Sequence, residues 1–440
     1  MSRPLRGVLL AGVVVAVLAG GFFVARSSRQ SSLLAPLPKI SLEQFQPTAR
    51  KLVSEMIDNV KKEPLRADRW GELGYALAGN EAFNEAGACF ARAEELDPDN
   101  FRWPHLFAFS TIKASRGPAI AALKRAMQIN PNIVPTMSLL AEAYLDDGAV
   151  KEADALLRPR ITEKTEDQRL LFEMARVEAN AGAVDHAIKL AEQAAAAPPR
   201  RAQIHQLLVQ LYQRKGNAVD AKKHARILEI LPASEANAAW PDSIAVQALR
   251  YSRDVDTMAI QARQLVSSGQ ADEAVRMLER MDPVDRSSSI VASVLAIAKA
   301  QLGEFKEAEK VLTAVPAKDD PNVAFAEGIV ASLQEKYAEA VKHYAKVAGS
   351  TSNTNRSRFA DGALVNQGQC YLALKKEEEA MAAFEQALKL NPGNIEAIER
   401  LAALYLKKGR KADAARILND AALLEPTDET IKELQKLAAG

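Results

Sequence analysis

Apolar and small residues recur in this chain as sets repeated every 34 positions. The clearest set is Trp70, Leu73, Gly74, Leu77, Ala86, Phe90, Ala93 and Pro98. Near the C-terminus, Gly368, Tyr371, Ala380, Phe384, Ala387 and Pro392 are followed 34 residues on by Ala402, Tyr405, Ala414, Leu418, Ala421 and Pro426. Spacings of three and four put such residues on one face of a helix, and no segment shows convincing strand alternation. Each set predicts two helices. Small residues halfway along the first, such as Gly74, Gly328, Gly368 and Ala402, let the second approach closely, and Ala86, Ala340, Ala380 and Ala414 answer from the other side. Gly148, Gly182, Gly216, Gly269, Gly303 and Gly409 fall at the turn between the two helices, where a left-handed backbone is cheapest for glycine. Pro98, Pro131, Pro199, Pro392 and Pro426 stop second helices, which proline cannot continue.

Alignment on these positions gives ten units, starting near Ala67, Asn100, Val134, Gln168, Ala202, Val255, Ser289, Pro321, Asp361 and Ile395. The pattern resembles the tetratricopeptide repeat, W-x2-L-G-x2-Y…A-x3-F…P, over most of residues 67–436. Unit two departs from it, with Phe107 and Ala108 where a Leu–Gly pair is expected. The resemblance implies an all-α fold, a right-handed superhelical solenoid of about ten helix–turn–helix repeats, to which the sequence adds an N-terminal transmembrane helix. A unit cannot bury its apolar face alone, so the ends need caps. Residues 41–62, with Leu52, Met56 and Val60 as the buried stripe, and residues 427–437, with Ile431, Leu434 and Leu437, supply them.

The expected order is a cytoplasmic tail and anchor (1–26), a polar linker (27–40), an N-terminal cap (41–66), units one to five (67–232), an insertion (233–254), units six to ten (255–426) and a C-terminal cap (427–440). The insertion contains Trp240-Pro241-Asp242 and either bends the superhelix or leaves the stacking intact as a surface excursion. The polar run 350–357 reads as a second loop.

Residues 7–24 carry no charge and are flanked by Arg3 and Arg6 before and Arg26 and Arg29 after. As a helix this run spans about 27 Å, enough for a hydrocarbon core. A cleaved signal peptide and a secreted product are the alternative, but the apolar run continues through Phe22, Phe23 and Val24, longer than a usual signal core. The flanking charges put the N-terminus in the cytoplasm and the repeats outside it, in the periplasm if the cell is bacterial.

Chemistry is sparse. The sequence has no phosphate-binding loop, dinucleotide fingerprint, nucleophile elbow, H-E-x-x-H or C-x-x-C. Its five histidines are scattered through the units without ligand spacing and read as solvated or capping groups, so neither a metal nor a cofactor is expected. Cys89 and Cys370, eight units apart, read as small buried hydrophobes. Setting aside the five basic residues of 1–40 leaves 52 basic against 56 acidic, which gives no footprint for nucleic acid.

The concave groove remains, lined in this family by first helices. Units four and five offer Arg169, Phe172, Arg176, Asn180, Gln206, Gln210 and Arg214, unit six Arg263, and units seven and eight the apolar Ile297, Phe325 and Ile329. Arg176, Gln210 and Arg263 hold equivalent positions on successive first helices, and stacking is expected to bring them into one line. The aromatic run 101–109 is either an interface hot spot or repeat packing. The family's carboxylate clamp needs Lys and Asn where this chain has Gly71 and Tyr75, so chaperone-tail recognition is not implied. The resemblance to bacterial membrane-anchored members implies a non-enzymatic scaffold, tethered by its N-terminal helix, that binds protein partners or peptide segments in envelope assembly, secretion or export. The alternative is a regulatory or substrate-targeting subunit of a separately encoded enzyme.

Overall fold

The computed structural model describes residues 37–162, 164–236, 240, 242–317, 320–349 and 356–439. The anchor expected at 7–24 lies outside the described residues, as do most of the 27–40 linker and 350–355 of the second loop. Among the described residues no helix is long and apolar enough to cross a membrane, and there is no strand.

A lone helix, α1 (Pro47–Lys62), precedes ten pairs. Pairs one to five are α2 (Ala67–Ala78) with α3 (Phe83–Leu96), α4 (Arg102–Thr111) with α5 (Arg116–Ile129), α6 (Val134–Asp146) with α7 (Val150–Leu157), α8 (Gln168–Asn180) with α9 (Val184–Ala195), and α10 (Ala202–Lys215) with α11 (Ala218–Ile230). Pairs six to ten are α12 (Val255–Ser267) with α13 (Ala271–Glu279), α14 (Ser289–Gln301) with α15 (Phe305–Thr313), α16 (Pro321–Leu333) with α17 (Tyr337–Gly349), α18 (Arg356–Ala373) with α19 (Glu377–Leu390), and α20 (Ile395–Lys407) with α21 (Lys411–Leu424). Helix α22 (Glu429–Ala439) closes the series.

The small-residue positions work by close approach. A Cβ on Gly74 would stand 2.6 Å from the Phe90 ring, one on Gly328 2.5 Å from Tyr344, and one on Gly368 2.6 Å from Phe384. The six turn glycines all have φ between 72° and 84°. Where pairs one, eight and nine have no glycine at that position, Glu81, Glu335 and Lys375 take the same left-handed turn at φ 65°, 60° and 59°.

The chain forms two compact units. The first comprises the described residues up to Thr136 together with 243–253. In it α1 packs on pair one and pair one on pair two. The buried stripe of α1 is Ala49, Val53, Met56 and Val60, and Leu52 is only partly buried, one position off the expected face. Trp103 is buried over Gly71, and Phe101 and Phe107 pack on the same core, so the aromatic run is mainly repeat packing; Phe109 stays exposed.

The second unit comprises the described residues of 137–242 and from 254 onward. Pairs three, four and five stack in order, and so do pairs six to ten, with α22 covering the end. Ile431 is buried there, but Leu437 is 62% exposed, contrary to the expected cap stripe, because the final turn reaches past the last pair. The two stacks do not join through pairs five and six. Instead α11 packs on α21, with Ile227, Ile230 and Leu231 around Leu424. Pair nine also starts earlier than expected: α18 begins at Arg356, so Phe359 enters the helix and meets Phe325 at 5.8 Å.

Candidate functional site

Helix α8 carries four of the residues expected to face a partner, Arg169, Phe172, Arg176 and Asn180, and the structure gives them partners within the chain. Arg169 is buried and pairs with Glu142 at 3.0 Å. Arg176 donates to Glu173 at 2.8 Å and to Asp146 at 3.1 Å, and its guanidinium lies 5.9 Å from the Phe172 ring centre. Asn180 donates to the Arg176 carbonyl, and Arg214 to the Ala179 carbonyl, tying α10 to α8. Gln206 and Gln210 are exposed. Glu173 is fully buried between the two arginines; burial, reinforced by Glu142, pushes its carboxyl up to about 7.

The expected line from Arg176 through Gln210 to Arg263 is not formed. Pair six does not stack on pair five, because the insertion lets α11 turn to α21 instead. Arg263 lies 4.8 Å over the ring of Phe359 from pair nine. Phe325 sits between Phe359 and Tyr344, at 5.8 Å and 6.0 Å, and Ile329 packs with it in the same partly buried cluster. Ile297 is partly buried against the core of pairs seven and eight.

The insertion itself occupies first-helix faces, an outcome that neither expected alternative contained. In the second unit, Trp240 lies on Phe172 with ring centres 5.3 Å apart, and the guanidiniums of Arg201 and Arg169 stand 4.4 Å and 5.9 Å from its ring. Gln168 holds Arg201 in place: its side-chain oxygen accepts from Arg201 Nε at 2.9 Å while its amide donates to the Ala194 and Ala197 carbonyls. In the first unit, the short segment Ala245–Tyr251 packs on α2. Tyr251 stacks on Tyr75 at 5.7 Å, and Ile244, Ala245 and Ala248 are buried in that core. Asn80 reads the segment's main chain, donating to the Tyr251 carbonyl at 3.1 Å and accepting from the Arg253 amide at 2.9 Å. Gly79 makes room, since a Cβ there would lie 2.3 Å from the Ala248 carbonyl oxygen. Beside the segment, Tyr75, Phe101, Ile133 and Gln247 line a cavity of about 240 Å³.

One cluster was missed by reading the histidines as surface groups. His205 and His224, on the facing helices of pair five, are both buried, with Nδ1 atoms 3.0 Å apart. His224 Nε2 meets Glu192 Oε1 at 2.9 Å, and Tyr212 donates to the same oxygen at 2.8 Å. If His224 donates to the carboxylate, a neutral His224 accepts at Nδ1 from His205, which leaves His205 Nε2 as a bare lone pair. That atom is buried without a partner, in keeping with a neutral ring, and burial and the neighbouring His224 depress the His205 pKa to about 4. The sequence signal was a spacing of 19, which joins facing positions of one pair. Among the described residues no group of three or more His, Cys, Asp or Glu is placed to hold a metal ion.

Family models of the tetratricopeptide repeat match residues 67–100, 265–333, 325–395 and 371–438. These stretches are tetratricopeptide repeats. Those segments coincide with pair one, the second helix of pair six and pairs seven to ten, and include the close contacts of Gly74, Gly328 and Gly368. Repeats of this kind imply a protein-interaction scaffold. Among curated proteins it is similar to human Protein IFIT1 homolog B, 28% identical over 145 residues, which cover 30% of this chain and 31% of that one. Similar solved structures include yeast Tom70 (13% identity, TM-score 0.38, 88% of this chain and 91% of that one). Another is YrrB, a tetratricopeptide repeat protein with an unusual peptide-binding site (16%, TM-score 0.35, 45% and 99%). A third is Naa15/Naa10 bound to HypK-THB (18%, TM-score 0.29, 89% and 58%). The chain spans under a third of the curated relative it matches.

Proposed function

We propose that this repeat protein is a non-enzymatic scaffold that holds peptide segments of protein partners on its first-helix faces, tethered to a membrane by residues 7–24 with the repeats on the extracytoplasmic side. The observation that carries the reading is Asn80, whose side chain reads the backbone of residues 251–253 as it would read any peptide main chain. Such surfaces suit non-globular segments, with main-chain hydrogen bonds giving affinity and side-chain pockets giving choice. Tethering would raise the effective concentration of partners at the same membrane. The uninterrupted apolar run and its flanking arginines support the anchor, and an envelope assembly, secretion or export role follows from that placement.

Full-length protein used as bait on isolated membranes, cross-linked before solubilisation, tests this. Saturable capture of the same protein in replicate preparations is expected, with the bait resisting alkaline carbonate extraction. A stoichiometric enzyme among the captured proteins would make the chain its targeting subunit. Bait released by carbonate, or shortened near residue 20, overturns the tether; turnover by the purified chain alone overturns the non-enzymatic reading.

A further inference from the structure

The cage around Trp240 is built more carefully than a loop contact requires. Phe172 supplies an apolar floor, and two guanidiniums face the indole. Arg201 is 4% exposed and is pinned by Gln168, which is itself pinned by carbonyls at the end of α9. Arg169 is 8% exposed, and its Nε, buried, has no hydrogen-bond partner among the described residues. Arg169 is already balanced by Glu142, whereas the two guanidiniums repel each other, and burial with that neighbour lowers the Arg201 pKa. The surroundings therefore favour an aromatic ring, through its electron-rich face, and an acceptor or acid beside it. The chain's own occupant has that form: Trp240 is followed two residues later by Asp242.

We propose that Arg169, Phe172 and Arg201 form an acceptor site for an aromatic side chain flanked by an acidic residue, that Trp240 is its resident occupant, and that a partner segment of the Trp-x-Asp kind binds by displacing it. The site deepens the scaffold reading and rests on it for the source of the segment, but the cage chemistry is testable alone. A resident ligand on the same chain competes at a local concentration on the order of millimolar. Free peptide therefore meets a site whose open fraction is small, and its apparent affinity falls by that fraction.

The probe is a fluorescein-labelled hexapeptide, Asn-Ala-Ala-Trp-Pro-Asp, titrated by anisotropy against full-length protein in detergent. Trp240→Ala is expected to bind it about tenfold or more tightly than the wild type. Adding Arg201→Ala to that variant, or replacing the peptide's Trp by Ala, is expected to remove the gain, with far-UV circular dichroism unchanged. Equal binding by the wild type and Trp240→Ala overturns the proposal, as does a gain that survives Arg201→Ala. A fall in helicity of Trp240→Ala would make the indole a structural plug and overturns it too. Failure of the membrane capture experiment, with the peptide result intact, would instead remove the scaffold reading and leave the cage.

Discussion

Arg226 and Asp420, 194 positions apart, form a two-pronged ion pair, with Nε to Oδ1 at 3.0 Å and Nη2 to Oδ2 at 2.5 Å. The pair marks where pair five meets pair ten. Both side chains keep some solvent exposure, so their Coulomb attraction is largely offset by hydration and contributes about 1 kcal/mol or less. The apolar part of the contact is stronger. Leu424 is 3% exposed among Ile227, Ile230 and Leu231. Nearby, a Cβ on Gly393 would come within 1.8 Å of the Ile230 carbonyl oxygen.

Leu424→Ala is therefore expected to cost about 2–5 kcal/mol in urea unfolding, and Arg226→Ala no more than about 1 kcal/mol. Gly393→Ala should destabilise as well, since backbone must move to admit the methyl. A Leu424→Ala cost no larger than that of Arg226→Ala would mean the junction of pairs five and ten is not packed as described.

Glu335 and Lys375 hold left-handed turns that six other pairs give to glycine. A Cβ in that conformation costs about 1–2 kcal/mol, and glycine's greater freedom in the unfolded chain returns part of it. Glu335→Gly and Lys375→Gly are each expected to stabilise by about 0.5–1 kcal/mol, and Gly148→Ala to destabilise by about 1 kcal/mol. Thermal melts of the three variants decide the point, and a loss of stability in both glycine variants contradicts the assigned turns.

Glu173 holds its proton up to about pH 7 when folded, against an ordinary value of 4.5. Between those values the folded state binds more protons than the unfolded chain, so this group's contribution to stability falls as the pH rises from about 4.5 to about 7. The total is on the order of 3 kcal/mol. Glu173→Gln should flatten that part of the melting profile and be the more stable form at pH 8. Parallel profiles for the two proteins would show that Glu173 ionises normally.

His205 has the opposite sign. Its folded value near 4 lies below the ordinary 6.5, so the unfolded chain takes up a proton that the buried ring refuses. Its contribution is present above about pH 6.5 and is lost as the pH falls toward 4. His205→Gln, which keeps a donor for His224, should lose less stability over that window. A direct check is the His205 ring resonance by NMR, which should not titrate near pH 6.5.

Much of the fold was legible because it is local. The pairs, their turn glycines and the Gly74, Gly328 and Gly368 contacts follow from side chains 3, 4 and 16 residues apart, distances that a helix and its immediate partner fix. Misreadings came where a residue's neighbour is remote in sequence. Phe359 lies next to a polar loop, and nothing beside it signals Phe325 or Arg263. His205 and His224 look scattered when each unit is scanned along one helix and not across the pair. The candidate residues Arg169, Phe172 and Arg176 share one helix, but their partners Glu142, Trp240 and Asp146 lie outside it.

The sequence by itself determined the repeat, the helix pairs and the family, since a hydrophobic period and small residues at close contacts act within one unit and its neighbour. Tertiary structure alone decided how pair five packs onward. There the periodic signal stops, and no local rule says whether α11 meets α12 or α21. The answer depends on where Leu424 and Asp420 lie when the chain has folded, and on an insertion whose Trp240 and Tyr251 find their partners 68 and 176 positions away, at Phe172 and Tyr75. Apolar burial is indifferent to sequence distance, so such contacts leave no period to read.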